Sequence, residues 1–418
     1  MTPRATPPLT RPKRKNPILR TRAPTVPPPL RSRIALGLTA GAARGVFELQ
    51  VCEDCGVVQY PPREVCRACL SARLPWRVQD GLGELIAQTR LHHSQELYFR
   101  ERTPWRIGLV RLDAGPSVVV HVHGDVPAPP ARIRVTSQLD RANQAALIAL
   151  PVQASLHMAD DPELREMTCD PKFRKILVTD GKTAVGQALC QQLAAAGADL
   201  IWAGVAEPWK KLPGSDTLSA IPQLTQVPLD VTNERSVQEL AGEIGGKVDI
   251  VINNAEHHRT ASIGTRPGTD TARAEMDVNY FGLLRLAQSF GPALRARAAD
   301  GQSNAVAWVN VLSIYALSNF PPHGTFSASK AAAYSLAQCL RAEMLNSAIR
   351  VINVFPGPID DEWNQLILPP KLAPSALAKS IVDALRSGVE DVYAGDVAQE
   401  WFNRWRDNPK ALERELAL

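Results

Sequence analysis

The sequence has few aromatic residues, no hydrophobic run long enough to cross a membrane, and no acidic residue in its first 33 positions. Aromatic side chains make up 6% of the 418 residues. Crossing a bilayer as a helix takes about 18 or more consecutive apolar residues, and an N-terminal apolar stretch typical of a signal peptide is also missing. We therefore expect no membrane-spanning and no Sec-secreted protein, and we predict a cytoplasmic one.

The lack of acidic residues is confined to one end of the chain. Residues 1–33 contain nine Arg or Lys and nine Pro, and the remaining residues carry a net charge of −4. Such a composition cannot bury enough apolar surface to order itself, so we predict a disordered basic tail. A basic arm that docks on an acidic partner is the alternative, whereas the prolines argue against a mitochondrial presequence helix. The mildly acidic body gives no reason to expect a nucleic-acid partner.

Four of the seven cysteines are close together in the sequence. Cys52, Cys55, Cys66 and Cys69 form two CxxC pairs separated by ten residues. This spacing can place four thiolates tetrahedrally around one Zn²⁺ with no open coordination position, which predicts a structural site. A pair of disulfides is the weaker alternative because adjacent CxxC disulfides are strained, and iron–sulfur ligation is a minor one. Three other cysteines are scattered and are predicted to be packing residues: Cys169, Cys190 and Cys339.

A set of short alternating segments follows the cysteines. The clearest cover residues 83–89, 105–112 and 117–122, and turn-forming residues separate them. Short strands with this spacing are typical of a small antiparallel barrel. The run from Gln50 to Cys69 resembles the rubredoxin-like zinc ribbon that is joined to an OB-fold in proteins accompanying thiolases, acyl-CoA hydratases and steroid side-chain aldolases. The resemblance implies a non-catalytic module that docks on an acyl-CoA enzyme and helps to hold CoA.

From Lys175 onward the pattern changes to alternating strands and helices, which indicates a parallel sheet. An apolar run at 175–179 is followed by a turn and a helix, as at the start of a dinucleotide-binding fold. Later segments at 248–255, 311–313 and 354–357 fit successive strand ends. Together, residues 175–418 resemble the short-chain dehydrogenase/reductase family. The resemblance implies an NAD(P) site that includes the following residues: Thr179, Gly181, Gly186, Asp230, Asn253, Pro356 and Gly357.

The glycine turn departs from the pattern of that family. Asp180 stands at the first glycine position and Ala184 at the second, so that a carboxylate and a methyl group lie where the backbone should approach a pyrophosphate. Glu256 replaces the usual final glycine of the segment after Asn253. The strand end near Trp202 lacks both an acidic ribose ligand and an arginine for a 2′-phosphate. These departures argue against the NAD(P) binding that the resemblance otherwise implies.

The catalytic residues of the family are only partly present. The resemblance assigns the Asn, Ser and Lys of the family's tetrad to Asn279, Ser313 and Lys330. Phe326, thirteen residues after Ser313 and four before Lys330, occupies the position of the catalytic Tyr. A phenyl ring lacks the hydroxyl that donates a proton to the carbonyl, and Tyr315 is the one nearby substitute. The sequence therefore predicts an inactive dehydrogenase domain.

The resulting prediction is a multidomain chain with a small zinc ribbon and an antiparallel OB-type barrel, followed by a doubly wound α/β Rossmann domain. The predicted parts are a tail (1–33), a helix with the zinc ribbon (34–76), an OB-fold (77–155), a linker (156–174) and the dehydrogenase-like domain (175–418). We expect a subunit of an acyl-CoA-processing assembly with a thiolase or thiolase-like aldolase as partner and a CoA thioester as ligand. The alternative is an active NAD(P)-dependent 3-hydroxyacyl-CoA or ketone oxidoreductase. Helices around 279–295 and 327–346 should form a homo- or heterodimer interface.

Overall fold

The structure is a computed structural model. It describes residues 6–11, 25–210, 212–265, 267–299 and 304–417. Most of the predicted tail (1–5 and 12–24) therefore lies outside the described residues. The described chain divides into two compact units, one mainly of residues 25–170 and the other mainly of residues 171–418. None of the helices in these ranges is long and apolar enough to cross a bilayer.

The first unit begins with a short helix, α1 (Leu36–Ala43), and a small antiparallel sheet. The sheet has the order β2-β1-β3, and its strands are β1 (Glu48–Val51), β2 (Val58–Gln59) and β3 (Trp76–Val78). Leu38 of α1 and Leu49 of β1 belong to the same buried apolar cluster as the barrel that follows. The ribbon and the barrel therefore share one core.

The barrel in the described part of this unit is closed, with the strand order β4-β5-β6-β8-β7. Its strands are β4 (Leu82–Leu91), β5 (Trp105–Leu112), β6 (Ser117–Val122), β7 (Ala131–Leu139) and β8 (Ala145–Pro151), with α2 (Leu97–Arg100) between β4 and β5. Buried and exposed residues alternate along β7, as expected when one face of each strand fills the barrel interior. This architecture confirms the predicted antiparallel barrel.

The predicted linker (156–174) and the described part of the predicted tail make specific contacts within the barrel unit. Helix α3 (Pro162–Arg165) follows the barrel, and its Leu164 packs with Met167 against Ile148. In the described part of the tail, the backbone N–H and the hydroxyl of Thr6 hydrogen bond to the carboxylate of Asp125. Composition alone gave no indication of these contacts, because they depend on single apolar side chains and one buried carboxylate.

The second unit is built on a sheet of seven parallel strands within the described ranges, in the order β11-β10-β9-β12-β13-β14-β15. The strands are β9 (Lys175–Val178), β10 (Leu200–Val205), β11 (Leu224–Pro228), β12 (Ile250–Asn253), β13 (Ala307–Val311), β14 (Arg350–Pro356) and β15 (Asp391–Ala394). The central strands are buried along nearly their whole length, which explains their continuous apolar sequences.

Helices connect these strands and cover the sheet. They are α4 (Ala184–Ala195), α5 (Glu234–Ile244), α6 (Asp270–Met276), α7 (Leu283–Ala298), α8 (Gly324–Met344), α9 (Pro374–Ser387), α10 (Asp396–Asp407) and α11 (Pro409–Glu415). A π-helical turn at Asp277–Gly282 joins α6 to α7. The strand order reverses between β9 and β12, and in open α/β sheets ligands bind at the carboxyl ends of the strands beside such a reversal. The doubly wound fold is confirmed.

Candidate functional site

The first candidate site is the cysteine cluster of the ribbon. Cys52 and Cys55 lie in the connection from β1 to β2, and Cys66 and Cys69 follow β2. The four sulfur atoms lie within 4.8 Å of one another. Two of the separations, from Cys52 to Cys69 and from Cys55 to Cys66, are 3.5 Å.

These dimensions fit a zinc ion held by four thiolates. Tetrahedral ligands about 2.3 Å from zinc lie roughly 3.8 Å from one another. The backbone N–H of Ala68 points to the sulfur of Cys66 at 3.4 Å, which is the kind of hydrogen bond that stabilises a thiolate ligand. With four protein ligands the metal has no free position for a substrate, so this zinc is structural.

The second candidate site lies at the carboxyl edge of the parallel sheet. Thr179, directly after β9, donates its hydroxyl hydrogen toward the Asn253 side-chain oxygen at 3.2 Å. The same hydroxyl accepts the backbone N–H groups of Asn254 and Ala255, both at 3.0 Å. Thr179 and Asn253, both predicted site residues, are thus brought together, and they fix the loops after β9 and β12 relative to each other.

The turn that leads into α4 contains a partly buried carboxylate, that of Asp180. The backbone N–H groups of Lys182 and Thr183 favour its charged form. In a dinucleotide-binding fold, the N–H groups at this helix N-terminus are available to a pyrophosphate. Burial, opposed by these two N–H groups, raises the pKa of Asp180 to about 6. The turn therefore places a carboxylate next to the N–H groups that would receive an anionic ligand.

The two remaining glycines of this turn have packing roles. A Cβ atom at Gly186 would overlap the backbone oxygen of Asp180, and one at Gly181 would lie 2.6 Å from the Cβ of Ala203. Glycine at these two positions is therefore required by the contact between helix, turn and strand, whether or not a nucleotide binds.

The other residues predicted to bind the cofactor lie at neighbouring strand ends. Asp230, just after β11, accepts hydrogen bonds from the backbone and the hydroxyl of Thr232 at 2.9 and 2.7 Å. Pro356 ends β14, and Gly357 packs so closely that a Cβ there would lie 3.2 Å from Val397. Asp230 is thus held by local hydrogen bonds, and Gly357 by its contact with α10.

Asn279 and Ser313 make hydrogen bonds within the protein. The side chain of Asn279, in the π-helical turn, bonds to both the N–H and the carbonyl of His257 and donates to the Ser329 hydroxyl. The Ser313 hydroxyl oxygen accepts the backbone N–H of Tyr315 at 3.2 Å. Both side chains are buried. They connect the loop after β12 and the end of β13 to the surrounding helices.

Phe326, in the first turn of α8, is buried against a histidine. Its ring stacks on that of His258 with centroids 3.8 Å apart, and only 2% of its surface is exposed. His258 in turn faces His323, with a ring nitrogen of each in hydrogen-bond contact. Burial and the neighbouring His258 lower the pKa of His323 to about 4, so His323 is neutral at pH 7.

Lys330 forms an ion pair with Glu256, the residue predicted to replace the family's usual glycine. Its ammonium nitrogen lies 2.8 Å from Oε2 of Glu256 and donates to the carbonyl of Val311 at 3.1 Å. Burial alone would raise the pKa of Glu256, but the charge of Lys330 and the contact with His258 outweigh it and lower that pKa to about 2. Glu256 is therefore ionised at every physiological pH, and it neutralises Lys330.

Tyr315 is close to this group but poorly suited to replace the missing hydroxyl. Its ring meets that of Phe326 edge-on at 6.4 Å and packs on Phe320 and Trp401 at 5.2 and 5.6 Å. Only 2% of its surface is exposed, and burial raises its pKa well above the usual range. A buried phenol that resists ionisation is a weak proton donor.

Glu256 is one of several carboxylates near the ends of β9, β12 and β14. The negative charge of Glu362 adds to the effect of burial on Asp180. Burial and the charge of Glu256 raise the pKa of Asp361 to about 6. A dinucleotide carries a doubly charged pyrophosphate, so the residues present are a poor fit to it.

The sequence did not predict three of these residues as ligands or acid–base groups: Glu256, His258 and His323. The replacement of glycine by Glu256 was visible in the sequence, but its pairing with Lys330, 74 residues away, was not. Two adjacent histidines, His257 and His258, directly after that glutamate are the one local signal that could have drawn attention to the network.

Comparison with known proteins identifies the second unit. A family model for short chain dehydrogenases matches residues 174–370. A short chain dehydrogenase from Burkholderia cenocepacia J2315, crystallised in complex with NADP, is 35% identical to the chain. The two superpose with a TM-score of 0.54 over 60% of this chain and 99% of that one. The chain belongs to the short-chain dehydrogenase family.

Other relatives agree with this assignment. An uncharacterized oxidoreductase of Staphylococcus aureus (strain USA300) is 28% identical over 215 residues, which are 50% of this chain and 89% of that protein. A farnesol dehydrogenase of Aedes aegypti is 29% identical over 195 residues, 44% of this chain and 77% of the relative. Members of the short-chain dehydrogenase family are typically oligomeric.

The first unit matches two further family models. Residues 39–75 match the ChsH2 rubredoxin-like zinc ribbon domain, and residues 76–154 match the ChsH2 C-terminal OB-fold domain. The predicted fusion of a zinc ribbon and an OB-fold with a short-chain dehydrogenase domain is therefore confirmed. These matches also support the assignment of the four cysteines as ligands of a structural zinc.

Proposed function

We propose that this chain is a subunit of an acyl-CoA-processing assembly built around a thiolase or a thiolase-like aldolase. In this proposal the ribbon and OB-fold dock on the partner and contact its CoA thioester, and the dehydrogenase domain is a catalytically impaired component. The match of residues 39–75 and 76–154 to the ChsH2 ribbon and OB-fold domains supports the assembly part of the proposal. The observation that carries the impaired-domain part is Phe326, a buried ring without a hydroxyl four residues before Lys330.

The missing hydroxyl removes the proton donor for carbonyl reduction. General acid catalysis typically contributes ~10²–10⁴-fold to a rate, and the loss here should be at least that large. The surroundings do not compensate for it, because His258 covers the ring of Phe326 and Tyr315 is buried among other aromatic rings. In this proposal Asn279, Ser313 and Lys330 have become structural hydrogen-bonding groups.

Weak cofactor binding is a second, separate part of the proposal. The Asp180 carboxylate lies at the turn before α4, and its negative form repels a pyrophosphate. Lys330, the buried cation beside Phe326, is neutralised by Glu256 at 2.8 Å. Cofactor binding and proton transfer are distinct steps, so weak binding and the missing proton donor lower the rate by factors that multiply.

An active NAD(P)-dependent 3-hydroxyacyl-CoA or ketone oxidoreductase is the second candidate. Two observations favour it: three of the four family residues remain at Asn279, Ser313 and Lys330, and the 35%-identical relative was crystallised with NADP. In that case a different group has to supply the proton, and Tyr315 is the first to consider.

One experiment separates the two candidates. The full-length chain is purified alone and after co-expression with the thiolase-like protein encoded nearest to its gene. Both preparations are titrated with NADH and NADPH by fluorescence and assayed with a panel of 3-ketoacyl-CoA thioesters. We expect co-purification, weak cofactor binding and no reduction by either preparation. Cofactor-dependent reduction by the chain alone would establish the second candidate, and a chain that neither reduces nor co-purifies would refute the proposed assembly.

A further inference from the structure

Four side chains in the dehydrogenase domain form a continuous polar line beside Phe326. Lys330 contacts Glu256 at 2.8 Å, Glu256 lies 3.6 Å from Nδ1 of His258, and His258 contacts His323 through its other ring nitrogen. Lys330 is on α8, His323 directly precedes α8, and Glu256 and His258 follow β12. The line therefore ties the amino end of α8 to the loop after β12.

Burial makes the charges in this line interdependent. Lys330 is 2% exposed, His258 1% and His323 0%. A buried ammonium group without a counter-charge is costly, and removing one partner of a buried ion pair is more disruptive than replacing both. The ammonium nitrogen of Lys330 also lies 5.5 Å from the centre of the Phe326 ring. Whatever group occupies position 326 is thus exposed to the field of Lys330 and of its counter-ion together.

We propose that Glu256 is an internal counter-ion that withdraws the charge of Lys330 from position 326, so that the site is held in an inactive state by Glu256 as well as by Phe326. The inference rests on the proposed function and deepens it, because it names Glu256 as a positioning residue that acts through Lys330. It also predicts that the inactive state is not reversed by restoring a hydroxyl at position 326 alone.

Lys330 acts differently on a phenol at position 326 with and without its counter-ion. A lone ammonium group a few ångströms from a phenol stabilises the phenolate and favours its ionisation. An ammonium–carboxylate pair presents a dipole instead of a net charge, and the field of a dipole falls more steeply with distance. A phenol introduced at position 326 therefore feels much less stabilisation while Glu256 is present. Removing the carboxylate of Glu256 while keeping Lys330 restores the stabilisation of the phenolate.

Several other titratable groups also face position 326. The rings of three of them contact the ring of Phe326: His258 in the loop after β12, His323 before α8 and Tyr315 after β13. Asp361, in the loop after β14, interacts electrostatically with Glu256. None of them is changed in the experiment below, so their contribution is common to all variants. The comparison therefore isolates the pair of Glu256 and Lys330.

The test is an ultraviolet titration of the introduced phenol in the full chain. Spectra of Phe326→Tyr are recorded against pH and the wild-type spectra are subtracted, which removes the signal of the natural tyrosines. The same measurement is made for Phe326→Tyr/Glu256→Gln and for the control Phe326→Tyr/Glu239→Gln, which removes an exposed carboxylate on α5. We expect the phenol to titrate at least about one pH unit lower with Glu256→Gln and unchanged with Glu239→Gln.

A double-mutant cycle completes the test. Adding Lys330→Met to Phe326→Tyr should raise the titration point, because it leaves the carboxylate unopposed. Adding Lys330→Met together with Glu256→Gln should return it close to that of Phe326→Tyr. If Glu256→Gln does not fold, Glu256→Asp, which moves the charge away from Lys330, should give a smaller shift in the same direction.

Equal titration points with and without the Glu256 substitution would overturn this inference. That outcome leaves the proposed function intact, because the wild-type chain would still lack a proton donor. Conversely, ketone reduction by the wild-type chain would refute the impaired-domain proposal without affecting the titration result. The two failures are thus distinguishable.

Discussion

The ring of His258 lies almost parallel to the ring of Phe326, with an angle of 12° between the planes and 3.8 Å between the centroids. This contact covers one face of the side chain that the sequence assigns to the position of the family's catalytic tyrosine. A hydroxyl added at the edge of the ring would leave the stacked face unchanged. We expect the outcome of Phe326→Tyr to depend on charge and on cofactor binding.

Phe326→Tyr alone should restore little ketone reduction. Asp180 still opposes the pyrophosphate in that variant, and Lys330 is still neutralised by Glu256. Adding Asp180→Gly and Ala184→Gly should raise NADPH affinity, and the triple variant should show the larger gain in turnover. The measurements are fluorescence titration with NADPH and single-turnover assays with a 3-ketoacyl-CoA. Turnover of the wild-type chain above roughly 1 s⁻¹, at the low end of ordinary enzymes, would contradict the inactive interpretation.

Asp180→Asn should stabilise the dehydrogenase domain at alkaline pH. The pKa of Asp180 is raised from 3.8 to about 6, chiefly by burial. Such a group favours folding below about pH 4 and loses this contribution as pH rises through 6. We expect a higher Tm for Asp180→Asn at pH 8, with a gain of at most about 3 kcal/mol, and little gain at pH 4.

The measurement for Asp180→Asn is calorimetry at the two pH values. Asp216→Asn, at an exposed position, is the control for loss of a carboxylate. A gain of equal size at pH 4 and pH 8 would show that the effect of the Asp180 substitution does not come from ionisation.

One zinc ion per chain should be bound by the ribbon, and Cys66→Ser should release it. Structural zinc contributes folding free energy directly, so the variant should also lose resistance to proteolysis in the first unit. Metal analysis under reducing conditions measures the first effect and limited proteolysis the second. Cys339→Ser, which removes an exposed cysteine of the other unit, should retain the metal. Less than about half an equivalent of zinc or iron in the wild-type chain would contradict the prediction.

The helices around α7 and α8 should form a dimer interface. Phe281, at the start of this surface, is 43% exposed and presents an apolar ring on the face that the dimer would bury. We expect Phe281→Glu to shift the chain from dimer to monomer in sedimentation velocity at micromolar concentration. Trp209→Glu, at another exposed aromatic residue, should leave the dimer intact. A monomeric wild-type chain, alone and with co-expressed partners, would refute the prediction.

The sequence was most informative where the signal is local. Four cysteines in two CxxC pairs predicted the ribbon, and the alternating pattern from Trp105 to Leu112 predicted a barrel strand with the observed bounds. Both depend on neighbouring residues along the chain. The change to buried strands at Lys175 likewise predicted the doubly wound domain.

The parts that were not predicted depend on contacts between distant residues. Glu256 and Lys330 are 74 positions apart, and only the fold brings their charges to 2.8 Å. The contact of Thr6 with Asp125 spans 119 positions. The sequence does not show whether a polar residue in a loop contacts water, a ligand or a buried side chain.

The glycine turn before α4 has a consequence for how sequence motifs are interpreted. A side chain at Gly186 would collide with the backbone oxygen of Asp180, so this glycine is needed for the helix to start where it does. A chain of this family can therefore lose nucleotide binding and still need glycine at this position for its backbone packing. A match to a glycine-rich motif at such a turn thus indicates that the fold is present. Whether an anionic cofactor can bind there depends on the neighbouring carboxylates.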